Sequence, residues 1–159
     1  MLLFTIGLGL VTVAQSVKSA EELKIARNDS IIIADILNPQ VSDADGKGQI
    51  PDWEAMRAQV ALKYDGTYAD RTITKRKIYY YFGKDWPVFS TSIVHYTEAY
   101  ENKDDLRLMN KNAKFILKYS QDPDEWKKAE GWIKHAVDKE PSNAVYKETY
   151  DALEAKIKG

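Results

Sequence analysis

Apolar residues recur at helical spacing through the second two-thirds of the chain. Trp53 is followed by Met56 and Val60, Trp86 by Phe89 and Ile93, and Trp126 by Ala129 and Ile133. Steps of three and four residues place each trio on one face of a helix. The last two series extend to Tyr96 and Ala136, and Tyr79 precedes Trp86 as Tyr119 precedes Trp126. An acid stands directly before each tryptophan (Asp52, Asp85, Glu125), where it favours a helix N-terminus. The three tryptophans stand 33 and 40 residues apart, and self-similarity at such periods predicts stacked helix pairs. Upstream, residues 19–37 read as a helix, with Ser19 as cap and Glu22 three residues later. The run Ile31-Ile32-Ile33 also suits a short strand. Asn38-Pro39 is expected to end the element, leaving residues 40–51 as a polar linker.

The expected fold class is therefore all-α. A helix and linker over 17–51 precede five or six antiparallel helices over 52–159. The expected core comprises Trp53, Met56, Val60, Ile78, Phe82, Trp86, Phe89, Ile93, Phe115, Trp126 and Ile133.

The opening MLLFTIGLGLVTVAQS changes the picture of compartment. A bilayer span takes about 20 apolar residues, and this run is shorter. It suits a signal peptide over residues 1–16, with the small-x-small pattern Ala14-Gln15-Ser16 as cleavage site. No Lys or Arg precedes it, and a buried N-terminal helix is the alternative. Export to the periplasm is expected, with no stable membrane insertion after cleavage.

Length and charge narrow the classes further. At 159 residues the chain has room for one domain with one modest core. Lys and Arg number 23 against 24 acids, without the basic excess of a nucleic-acid surface. The absence of cysteine rules out disulfides, thiolate nucleophiles and Cys-based zinc sites.

Residues 43–54, DADGKGQIPDWE, pose the sharpest chemical question. Asp43, Asp45, Gly48, Ile50 and Glu54 match an EF-hand calcium loop. Lys47 puts a cation where a ligand belongs, and Pro51 occupies the ninth position. The simpler reading is a turn whose Asp52 or Glu54 complements the next helix. His95 and His135 fall at equivalent places in two repeats, each expected at the edge of its own helix pair. No hydrolase, zinc-protease or phosphate-loop motif is present, so neither catalysis nor a cofactor is expected. The basic cluster TKRK, residues 74–77, precedes IYYYF. Such interleaving can bind single strands. Helical spacing instead turns Ile78 and Phe82 inward and the lysines to solvent.

The stretch WKKAEGWIKHAVDKEP resembles the second helix of a tetratricopeptide repeat. Ala129, Ile133, Ala136 and Pro141 stand at that family's small, large, small and proline positions, and Asn112, Phe115 and Tyr119 are similar to its first helix. Residues 143–158 would be a further first helix or a cap. In the preceding repeat Phe89 and Tyr96 replace the small residues, which would splay its helices. The resemblance implies a right-handed stack whose first helices line a peptide-binding groove. Lys77, Tyr80, Tyr81, Asn110, Ala113 and Leu117 would line it. More loosely, the chain is similar to the helical C-terminal region of exported bacterial thioredoxin-like proteins, without their CxxC domain. A non-catalytic protein- or peptide-interaction module is the expected function. A calcium-stabilised domain and an accessory of a thiol-redox system are the alternatives.

Overall fold

The computed structural model describes residues 19–159, and among them every regular element is helical. Helix α1 (Ala20–Ile32) opens on a reciprocal cap. The Ser19 side chain accepts from the Glu22 backbone N–H at 3.2 Å, and the Glu22 carboxylate accepts from the Ser19 N–H at 2.6 Å.

Pro39 does not end this element. A π-turn over Ile33–Leu37 runs directly into α2 (Asn38–Gly46). Proline has no N–H to donate to the carbonyl four residues back. The Asn38 N–H reaches five residues back to Ile33 instead, and the Gln40 side-chain amide donates to the Ile36 carbonyl at 2.9 Å. The expected stop, the strand alternative at 31–33 and the linker over 40–51 are thus all corrected. The driving force is burial: Ile32, Ile36, Leu37 and Val41 all lie inside. Only a short connection separates α2 from the next helix.

Six helices follow, in the number expected: α3 (Trp53–Lys63), α4 (Gly66–Tyr81), α5 (Trp86–Tyr100), α6 (Leu106–Tyr119), α7 (Pro123–Lys139) and α8 (Ala144–Lys158). The side chains of Asp52, Asp65, Asp85, Asp105, Asp122 and Asn143 each accept a backbone N–H at the start of their helix. Such caps are worth about 1 kcal/mol each. Short turns join helices that pack side by side, which makes neighbours antiparallel. Farther contacts, α5 with α7 and α6 with α8, continue the stack.

One of the three tryptophan equivalences shifts. Trp53 and Trp86 are first residues of their helices, whereas Trp126 is the fourth residue of α7. Glu125 is consequently no cap. It is buried and accepts from the hydroxyls of Thr91 (2.7 Å) and Ser120 (2.6 Å).

Two apolar clusters form the core. The first joins Ile32, Leu37 and Val41 to Trp53, Met56, Val60, Ile73 and Tyr80. The second joins Phe89, Ile93, Met109, Ile116, Trp132, Ile133 and Leu153, and Tyr81 packs against both. Of the expected core, Ile78, Trp86, Phe115 and Trp126 are partly buried against the second cluster. Phe82 departs altogether, at 52% exposed, because it lies in the turn that closes α4 rather than on its inner face. Among the described residues, no helix is long and apolar enough to cross a membrane. The expected leader and its cleavage site lie outside the described residues.

Candidate functional site

A cleft of about 460 Å³ opens between α4, α5 and α6. Helix α4 contributes Lys75, Ile78 and Tyr79, with Phe82 just beyond its end. Helix α5 contributes Phe89, Ile93, Tyr96 and Thr97, and α6 contributes Leu108, Lys111, Asn112 and Phe115. Glu101, following α5, completes the lining. Side-chain size explains the opening. Helices α6 and α8 pack directly across α7, whose Ala129 and Ala136 are small and fully buried. At the matching places α5 carries Phe89 and Tyr96, and α4 and α6 flank an open space there.

The walls are held by an aromatic network. Phe82 meets Trp86, Phe89 and Tyr119 edge-on at 5.5, 5.3 and 6.2 Å, and Phe115 meets Phe89 at 5.8 Å. Trp86 and Tyr119 stack at 4.0 Å. Within the floor the Asn112 amide donates to the Thr97 hydroxyl at 2.9 Å. Burial raises the Glu101 carboxyl above its ordinary range, against the pull of Lys75, Lys103 and Lys111. Burial likewise raises the Tyr96 phenol.

Helices α4 and α6 flank this cleft, but none of the six residues expected to line a groove is part of its lining. Tyr80 is buried in the first core, its ring 5.4 Å from Trp53. The Tyr81 hydroxyl accepts from the Trp53 indole N–H at 2.9 Å, and the Lys77 amine lies 5.8 Å from the Trp53 ring. Burial lowers the proton affinity of that amine. Ala113 is fully buried, Leu117 packs on the second core, and Asn110 accepts from Thr149 of α8 at 2.8 Å. The expected register is therefore corrected. The packing of α4 on the N-terminal helices and of α6 on α8 decides which faces remain open. Helical spacing in Ile78-Phe82 and Leu108-Asn112-Phe115 is the one signal present in the sequence, and it equally fits a closed core.

The remaining candidates disperse. Asp43 and Asp45 lie on α2, where Asp43 pairs with Lys47 at 2.6 Å and Asp45 with Lys84 at 3.1 Å. Glu54 sits exposed on the first turn of α3. The first four residues of the candidate calcium loop are thus helix, and among the described residues no three His, Asp or Glu side chains converge as metal ligands. The basic cluster is not the solvated face expected: Thr74 is buried, Lys75 and Lys77 are partly buried, and Arg76 donates to Asn38 at 3.0 Å.

Each histidine does lie at the edge of its own pair. His135 contacts Asp104 at 3.1 Å, and His95 contacts Asp70 of α4 at 2.6 Å. Asp70 also accepts from the Tyr100 hydroxyl (2.5 Å) and Arg57 (2.8 Å). Burial opposes its ionisation, yet Tyr100, His95 and Arg57 together outweigh that and hold the carboxyl at about 2.

Comparison of the chain with protein-family models, with curated proteins and with solved structures returns no match.

Proposed function

We propose that this chain is an exported, non-catalytic helical-repeat module that docks a peptide segment of a partner protein in the α4–α5–α6 cleft. The observation that carries the reading is the cleft itself, an apolar floor beside two large exposed aromatics, Tyr79 (68%) and Phe82 (52%). Its volume falls in the range of ligand pockets, about 300–1,000 Å³. The resemblance of residues 126–141 to a tetratricopeptide helix supports it too, because that family docks peptides between first helices. A segment would be taken by its large apolar side chains, as in other helix-lined grooves.

Selection of a displayed random-peptide library on the protein tests this directly. Enriched sequences are expected to converge on one motif and to lose affinity for Tyr79→Ser and Phe82→Ser variants. Selection without convergence, or convergent peptides indifferent to both substitutions, would defeat the proposal.

A further inference from the structure

Resting on that docking reading, we infer that the docked segment is acidic, with carboxylates flanking the large apolar side chains that enter the cleft. Two lysines stand on opposite walls, Lys75 on α4 and Lys111 on α6. Neither makes a hydrogen bond or ion pair with any described residue, and Lys111 rests over the Phe115 ring at 5.8 Å.

Three other lysines, by contrast, are committed. Lys103 donates to the Thr97 carbonyl and to Glu98, Lys84 to Asp45, and Lys156 to the Leu117 and Ser120 carbonyls. Among the described residues Glu101 is the one carboxylate lining the cleft, and it offsets the two lysines only in part, so the lining keeps an excess of one positive group. A basic segment would press like charges together over an apolar floor, where they are screened less than in open water. An acidic segment meets an ammonium on each side, and complementary charge of this kind sets specificity and register more than raw affinity.

The test uses labelled short synthetic peptides with Phe and Leu one helical turn apart, flanked by Asp and Glu, by Lys, or by Ser. Binding to the whole protein is read by fluorescence anisotropy. The acidic peptide is expected to bind about tenfold tighter than the basic one at low salt, the combined effect of two partly exposed ion pairs. The preference is expected to shrink at high salt. Lys75→Glu combined with Lys111→Glu should invert it while leaving the circular dichroism spectrum unchanged. Equal binding of all three peptides, abolished by Phe82→Ser, would overturn the charge preference and leave the docking reading standing. A preference that survives the double lysine substitution would also overturn it. Absence of binding by every peptide would take both readings down.

Discussion

Asp29 of α1 and Arg71 of α4 lie 42 residues apart in sequence and meet through three contacts, at 3.0, 2.9 and 2.7 Å. Their side chains are 8% and 10% exposed, and the guanidinium also lies over the rings of Tyr68 (4.6 Å) and Tyr100 (5.8 Å). Replacing Asp29 with Ala removes the partner and leaves a guanidinium charge in a desolvated site. Breaking a buried pair in this way costs about 3–5 kcal/mol. For a chain of this size each kcal/mol moves the midpoint by about 2–4 °C, so Tm should fall by about 6–20 °C. The paired replacement, Asp29→Leu with Arg71→Met, restores a matched apolar contact of similar volume. It is expected to be close to wild type, or more stable, because both desolvation penalties disappear with the pair. Thermal melts and urea unfolding of Asp29→Leu, Arg71→Met and the double variant complete the cycle and read the coupling directly. A double variant as unstable as Asp29→Ala would refute the reasoning, since the loss would then reside in packing. So would a single-variant loss under about 1 kcal/mol, the level of an exposed pair.

Other substitutions separate floor from rim and loop from helix. Phe89→Ala should destabilise by about 3–5 kcal/mol, the range for a buried aromatic, whereas Phe82→Ala should cost far less because its ring is half in solvent; denaturant midpoints distinguish them. Asp70 titrates at about 2 in the fold against its ordinary 3.8, so its contribution is present above about pH 4 and is lost as pH falls from there toward 2. Asp70→Asn should therefore flatten the acid limb of a Tm-versus-pH profile and leave its neutral limb parallel to wild type. Melts in EDTA and in about 1 mM CaCl₂, the affinity range of extracellular calcium modules, should coincide. A rise abolished by Glu54→Ala would mean that α2 gives way to a metal loop.

Local chemistry made much of this protein legible from its sequence. Ser19 with Glu22, and the Asp or Asn before each helix from α3 to α8, act within three residues, so those starts depend on little else. The apolar series through Trp53, Phe89 and Ile133 likewise reached the core, because one helical face is defined by spacing alone. The same reasoning failed at Pro39, whose missing N–H forbids a regular α-turn. It does not forbid a π-turn that four buried aliphatic side chains stabilise.

The candidate site was legible only as a pair of helices. Tyr80 and Ala113 have the composition of groove residues but are inside, while Tyr79 and Phe82 beside them are exposed. Helical periodicity names a face without naming its neighbour, and here α4 packs on α1 and α3 as well as on α5, and α6 on α8 as well as on α5 and α7. The Asp29–Arg71 pair is the same lesson in charge, since nothing near either residue in sequence indicates the other. The sequence by itself determined an all-helical chain, its capped starts and most of its apolar faces, because those arise from interactions within a turn or two. Tertiary structure alone decided which face stays open and which charges are buried together, because both depend on side chains about 40 residues apart competing for the same space.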